Sequence, residues 1–263
     1  MLLPFTKAHG TGNHFILLYL PECPTFTLDE TIIQKLCNTN TGIGSEGLIA
    51  ISNHEKYDFK IDYYNRDGTW ETMCANGARC AGMFLYQKNI VNNELTFLAG
   101  DGEHSMKIIN DTTVALTISA PQYKSDEIIV ENLSGFSVDS GAKHFVVEVN
   151  KNDDLDWYKV GKKIRNSKFF PEGTNVNFVK KIDFNTLEVI TYEKGVEKIM
   201  QSCGSGSVAA AYHMQRKYNL DYKLNIHVTG GILSISTNDT WDYVWLEGPA
   251  KLLFHSDIDI SKL

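Results

Sequence analysis

The chain has 263 residues, room for about two domains of ordinary size, and its 43% apolar and 22% charged content is that of a globular protein in water. A net charge of −7 from 25 basic and 32 acidic residues, dispersed without a basic patch, argues against nucleic acid and against an anionic membrane surface as partners. The N-terminal residues do not read as a signal peptide, "FILLYL" (15–20) is too short to span a bilayer, and five cysteines without a Cys-x-x-Cys pair point to reduced thiols in a cytoplasmic protein rather than to disulfides or zinc.

Along the chain, Thr27 and Glu30 form a capping-box signature ahead of Ile32, Ile33 and Leu36, whose spacing predicts a helix. "GIGSEG" (42–47) matches G-x-G-x-x-G literally, yet it follows a helix and precedes the strand-like "LIAIS", the reverse of the dinucleotide-binding order. Phe59, Ile61 and Tyr63 alternate as a half-buried strand, as do Val114, Leu116 and Ile118. Between them "TMCANGARCAG" (72–82) sets a cysteine before a run of small residues ending near Tyr86. Small residues around the whole circumference suit a helix enclosed on every side. Trp157, Val160 and Ile164 predict another helix. "QSCGSGSVAAA" (201–211) then repeats the cysteine-led small-residue run, ending near Tyr212, and Leu224, Ile226, Val228 followed by Leu233 and Ile235 alternate as strands.

The order of elements repeats. Cys74 and Cys203 stand half a chain apart, and a near-constant shift of about 129 residues aligns much more than the cysteines. "GNHFILL" (12–18) falls on "AKHFVVE" (142–148), which pairs His14 with His144. "GSEGLI" (44–49) falls on "GTNVNF" (173–178), and "DYYN" (62–65) on "ITYE" (190–193). The prediction is two tandem, strand-rich α+β domains, 1–121 and 122–252, with the tail 253–263 rejoining the first. Each wraps a central helix whose N-terminus carries a cysteine.

A helix N-terminus offers backbone N–H groups and about half a positive charge; it favours the thiolate of a cysteine and can bind a carboxylate. One such site reads as a nucleophile or an anion cradle. Two read as facing bases around one ligand. Inverting a carbon that bears a hydrogen requires a base on one face and an acid on the other, and a thiolate with a thiol supplies both as one coupled titration. This chemistry needs no metal and no pyridoxal phosphate, and nothing in the chain resembles a site for either. Cys23, Cys37 and Cys80 read as small buried apolar residues. A thiol protease with Cys203 as nucleophile and His144 as base would leave Cys74 without a task. "GSGS" lacks the lysine of a phosphate-binding loop.

The cysteine segments resemble those of a known family. "CANGARCAG" resembles the C-G-N-G-x-R-C signature of the diaminopimelate epimerase family, and "SCGSGSVAA" resembles its second motif, A-C-G-[ST]-G. "KAHGTGNHF" (7–15), "NRDGTWETMC" (65–74), "FPEGTNVNFV" (170–179) and "TYEKGVE" (191–197) are similar to further family segments, so the resemblance covers nearly the whole chain. It implies two pseudo-symmetric domains closing over the substrate, each a β-barrel-like sheet wrapped around a central helix, usually in a homodimer. It also implies a cofactor-independent isomerase interconverting LL- and meso-diaminopimelate on the route to lysine and peptidoglycan.

By position, the resemblance makes Cys74 and Cys203 the acid/base pair, assisted by His144 and Glu193. Ala75, Asn76, Gly204 and Ser205 would meet the reacting amino-acid centre, with Asn13, Asn65 and Asn175 adding amide hydrogen bonds. On residue type alone, His144 beside Phe145 is as readily a core histidine, and each of these Asn a turn residue. Lys194 stands where the family has an arginine, which would clamp the distal carboxylate in a bidentate way that a lysine does not. Ala75 replaces a glycine, His14 an aspartate, and Ala142-Lys143 precedes His144 where the family has Asn or Ser and then Pro. Lys194 and Ala142 keep two alternatives open: a racemase of another amino acid, and a non-catalytic amino-acid-binding relative.

Overall fold

The computed structural model describes residues 1–150, 153 and 155–263. They form two compact units, residues 1–116 with 248–263, and residues 117–247. Among the described residues no helix is long and apolar enough to cross a membrane.

The first unit is built on helix α1 (Glu30–Cys37) and helix α2 (Ala75–Gln87). Strand Asn13–Tyr19 runs antiparallel to Leu2–Gly10 and parallel to Gly47–Ser52, which pairs antiparallel with Phe59–Asn65. Strand Phe59–Asn65 then meets Glu94–Ala99 in parallel, and Gly102–Asn110 and Thr113–Thr117 follow as an antiparallel meander. Strand Lys251–Asp259 returns to pair with Leu2–Gly10.

The second unit repeats this order with helix α3 (Trp157–Arg165) and helix α4 (Gly204–Tyr218). Strand Lys143–Glu148 runs antiparallel to Leu133–Asp139 and parallel to Asn175–Lys181, which pairs antiparallel with Thr186–Glu193. Parallel pairing to Lys223–Val228 and the turn back through Gly231–Thr237 to Val244–Pro249 complete the match. The chain is α+β, one topology written twice.

Each sheet buries both faces. In the first unit Ile16, Leu18, Leu48 and Ala50 join Ile33 and Leu36 of α1 in the outer layer. The alternate residues face α2, which lies against strands 2–10, 13–19, 47–52, 59–65, 102–110 and 251–259 and is buried without a break from Ala75 to Leu85. In the second unit Phe145, Val147, Val176 and Phe178 pack with Ile164 and Trp157 of α3, and the opposite face receives α4. Small side chains allow strands to close in on all sides of a helix, as the sequence pattern requires.

Four expectations are corrected. Helix α1 begins at Glu30, with Asp29 as its cap accepting from the Ile32 amide at 2.8 Å, because Phe26 and Leu28 are drawn against the apolar layer and keep Thr27 outside the helix. Helix α4 continues past Tyr212 to Tyr218, where polar residues carry it into solvent and Asn219 stops it in the left-handed conformation (φ 49°). Strand Thr113–Thr117 ends one residue before Ile118.

The fourth correction concerns the repeat itself. Phe15 stands opposite Gly47 in the first unit, and His144 opposite Asn175 in the second. Phe15 approaches Gly77 of α2, whereas His14 lies 3.1 Å from the Lys7 ammonium, on the other face of the strand. His144 therefore corresponds to Phe15, not to His14. A slip of one residue in a strand exchanges its faces.

Candidate active site

Cys74 caps α2 with extended backbone (φ −132°, ψ 111°), and its carbonyl accepts the first helical bond, from Ala78 at 2.8 Å. Ala75, Asn76 and Gly77 form the first turn of α2, whose amides make up the positive end of the helix. The hairpin joining strands 2–10 and 13–19 uses positive φ at Thr11 (52°) and Gly12 (80°), which brings Asn13 up to the helix end. Asn13 Oδ1 lies 3.9 Å from Cys74 Sγ and accepts from Asn76 Nδ2 at 3.3 Å. Asn13 Nδ2 donates to Glu46 at 2.5 Å. Below Asn76, the fully buried Arg79 donates to Asn76 Oδ1 at 2.6 Å and to Thr11 Oγ1 at 3.0 Å. Burial lowers the Arg79 pKa to about 10, so the guanidinium keeps its charge at neutral pH.

Cys203 caps α4 in the same conformation (φ −128°, ψ 113°), ahead of the amides of Gly204, Ser205 and Gly206. Its sulfur lies 3.7 Å from Ser205 Oγ, which is 3.0 Å from His144 Nε2. His144 Nδ1 is 2.8 Å from Asn177 Oδ1, and Asn177 Nδ2 donates to Thr191 Oγ1 at 2.7 Å. Ser140 Oγ donates to the Ser205 carbonyl at 2.8 Å.

The remaining predicted residues occupy the adjoining turns. Asn65 ends strand Phe59–Asn65, accepts from the Tyr63 hydroxyl at 2.8 Å and donates to Thr69 at 3.2 Å and Glu71 at 3.4 Å. Asn175 Oδ1 accepts from the Lys194 amide at 2.9 Å, and Glu193 ends its strand just before. The structure thus joins Asn13, Cys74 and Asn76 in one network, Cys203, Ser205 and His144 in a second, and Asn175 with Lys194 in a third. Asn65 is tied to its own turn. Among the described residues no three His, Cys, Asp or Glu side chains gather as a metal ligand set.

Sequence reasoning missed Glu46, Arg79, Asn177 and Thr191. Glu46 comes from the "GIGSEG" loop, dismissed as a dinucleotide motif. Arg79 was visible as the one charge within a small-residue helix, and Asn177 as an amide between the apolar Val176 and Phe178.

Burial pushes the His144 pKa down from 6.5 to about 4, and neither the Asn177 hydrogen bond nor the Asp139 carboxylate, which both raise it, offsets that. The folded protein therefore holds this imidazole neutral, while the unfolded chain takes up a proton below about pH 6.5. Its contribution to stability is complete above that pH and is lost as the pH falls toward 4, roughly 3 kcal/mol in all, of which about 2 is gone by pH 5. His9 and His213 are lowered by burial too and act in the same direction. The loss of urea-unfolding stability between pH 7.5 and 5 is thus expected to be smaller in His144→Gln than in the unsubstituted protein. An equal loss in both would contradict a buried neutral His144.

The family model described as diaminopimelate epimerase matches residues 5–123 and 136–253. The chain is 36% identical over 259 residues to the diaminopimelate epimerase of Flavobacterium psychrophilum, covering 96% of this chain and 98% of that one. It is 34% identical over 256 residues to that of Chlorobaculum tepidum, covering 95% and 99%. Among solved structures, a hydroxyproline epimerase from Agrobacterium vitis (TM-score 0.74, 11% identity) aligns over 98% of this chain and 92% of its own. A phenazine biosynthesis protein of the PhzF family from Bacillus anthracis (TM-score 0.72, 13% identity) aligns over 98% and 99%. At such identities the two structures share the fold.

Proposed function

The chain belongs to the diaminopimelate epimerase family, and from that premise we propose that it is an isomerase interconverting LL- and meso-diaminopimelate through a cofactor-independent pair of cysteine bases, Cys74 and Cys203. One observation carries the reading. Each unit sets a cysteine at the first turn of its enclosed helix in backbone conformations a few degrees apart (φ −132°, ψ 111° and φ −128°, ψ 113°).

In the proposed cycle one cysteine, as thiolate, removes the α-proton and becomes a thiol. The other, as thiol, delivers its own proton to the opposite face of the carbanion and becomes the thiolate. Charge and proton count are unchanged, and the two cysteines have exchanged roles. The amides at the starts of α2 and α4, with Asn76 and Ser205, would hold the α-carboxylate and stabilise the negative charge that develops beside it. Asn13 and His144 act next to the sulfurs. Asn65, Asn175 and Lys194 would bind the remainder of the substrate, and Glu193 would assist the thiols together with His144. The same reading places the enzyme in lysine and peptidoglycan biosynthesis as a homodimer; light scattering that returned a monomer mass would remove the last element.

The exposed Lys194 favours a second reading, a racemase of another amino acid, because an ammonium is a point charge without the fork of an arginine. Incubation in D₂O with candidate amino acids, followed by NMR, tests both. Loss of the α-hydrogen signal of LL-diaminopimelate is the expected result. Exchange with a different amino acid alone would favour the racemase, and exchange with none would leave a protein that only binds.

A further inference from the structure

The two thiol sites share a backbone and differ in what stands behind each sulfur. In the first unit a Cβ added to Gly77 would meet Ile49 Cδ1 at 2.5 Å and Phe15 Cε1 at 3.5 Å. In the second, a Cβ on Gly206 would meet Asn177 Nδ2 at 2.2 Å and Cys203 Sγ at 3.3 Å. The strand registers set Phe15 against His144, and Gly47 pairing with Asn65 against Asn175 beside Glu193, so that Ile49 corresponds to Asn177. Where one half has phenylalanine and isoleucine, the other has histidine and asparagine, linked by hydrogen bonds. Asn76 takes the place of Ser205.

The chain of contacts in the second unit is Thr191 Oγ1, Asn177, His144, Ser205 and Cys203, at 2.7, 2.8, 3.0 and 3.7 Å. Asn177 is fully buried and His144 nearly so. A buried amide has one donor end and one acceptor end. Asn177 gives its NH₂ to Thr191, which leaves its carbonyl oxygen facing His144 Nδ1. A carbonyl cannot donate, so Nδ1 must carry the imidazole proton. In a neutral ring Nε2 is then a bare acceptor, and the Ser205 hydroxyl must donate to it. With its hydrogen committed, Ser205 can meet Cys203 only through a lone pair, and the sulfur must supply the proton of that contact. Every step runs in one direction, from the thiol toward the amide.

We propose that Asn177, anchored on Thr191, is a positioning residue that locks His144 as the neutral Nδ1–H tautomer, and that this tautomer, acting through Ser205, holds a proton on Cys203. Cys74 is set differently: its sulfur faces Asn13 Oδ1 at 3.9 Å, an amide oxygen that also accepts from Asn76, and the buried cation Arg79 lies beneath. The inference rests on the cysteine-pair reading for its catalytic meaning. It adds that the two thiol sites are built differently, Cys203 facing a neutral imidazole through a hydroxyl and Cys74 facing an amide oxygen above a buried cation. The groups acting on the imidazole are consistent with a neutral ring: burial dominates, Asn177 is uncharged, and Asp139 on the neighbouring strand is the charged group that pulls the other way.

The tautomer is measured directly by long-range ¹H–¹⁵N correlation on protein labelled with ¹⁵N-histidine, the His144 signals being those missing from His144→Gln. The expected pattern at pH 7 is that of a neutral ring protonated at Nδ1. An Nε2-protonated ring or an imidazolium overturns the proposal. This readout needs no turnover, so it stands or falls separately from the epimerase reading. The effect on the thiol is read from the pH dependence of iodoacetamide alkylation of Cys203 in a Cys74→Ser background. Ser205→Ala, which removes the hydroxyl between sulfur and ring, is expected to lower the alkylation midpoint by roughly half a unit or more while the Nδ1–H pattern persists. Asn177→Leu is expected to lower the midpoint likewise and to release the tautomer into a mixture, and Asn177→Asp to restore the Nδ1–H pattern. A midpoint that rises or does not move in Ser205→Ala overturns the coupling, even if Asn177→Leu fails to fold.

Discussion

Cys74→Ser and Cys203→Ser are each expected to lower epimerisation of diaminopimelate by about a hundredfold or more, the scale of losing an acid/base group, with little change in stability. A serine hydroxyl is far too weak an acid to be ionised near neutral pH, so neither variant has both a base and an acid of matched strength. The fold should tolerate the change. Neither cysteine uses its side chain to cap its helix, and serine is a preferred cap residue, worth up to about 1 kcal/mol there. The two losses differ in kind from that of a general disruption. Each variant retains one thiol that can act as base on one face, so exchange of the α-hydrogen with solvent should persist with one stereoisomer of the substrate and not with the other, with opposite preferences in the two variants. Equal residual exchange of both stereoisomers by either variant would dismantle the two-base assignment.

Gly206→Ala is expected to do nearly as much damage without touching a reacting atom. The new methyl would sit 2.2 Å from Asn177 Nδ2 and 3.2 Å from its Cγ, and Asn177 cannot step aside, because both ends of its amide are engaged with His144 and Thr191. Alanine gains about 1 kcal/mol in helix propensity, but overpacking a rigid site costs about 1–3 kcal/mol, and displacement of His144 and Cys203 on the order of an ångström costs about a hundredfold in rate. The corresponding Gly77→Ala would meet Ile49 Cδ1 at 2.5 Å and Cγ1 at 2.9 Å, apolar atoms outside the hydrogen-bonded chain, so it should cost stability more than activity. A cycle that combines Gly206→Ala with Asn177→Ala should recover urea stability and not turnover. Recovery of both would show that the glycine matters only for packing.

The central helices were legible because their requirement is compositional: only small side chains fit where strands approach from every side, and such runs are conspicuous in sequence. The cysteine at each start was legible for the same reason, as the last residue before the run. The offset within the repeat was not. Between Gly44 (φ 74°) and Gly173 (φ 72°) and the strands that follow, the first copy carries one residue more, and alternation with a period of two conceals a shift of one when both faces are apolar. Aligning His14 with His144 matched letters and crossed faces. Glu46 and Asn177 were obscured by their settings, a loop with a misleading glycine pattern and a strand whose partners, His144 and Thr191, are distant in sequence. Thr27 lost its capping role to Asp29 because tertiary packing of Phe26 and Leu28 outweighed the local signal.

The return of Lys251–Asp259 to the N-terminal strand has a consequence for biogenesis. Residues 2–10 emerge from the ribosome early, yet the neighbour that completes their hydrogen bonding, closed by the pairing of Leu2 with Asp259 and the Met1 amine with the Asp259 carboxylate, is translated only after the whole second unit. Residues 117–247 are contiguous and can mature while translation continues. The earlier-made half must wait with an open flank, the state in which strands recruit foreign neighbours, so the nascent protein should depend on chaperones most until residues 251–259 emerge.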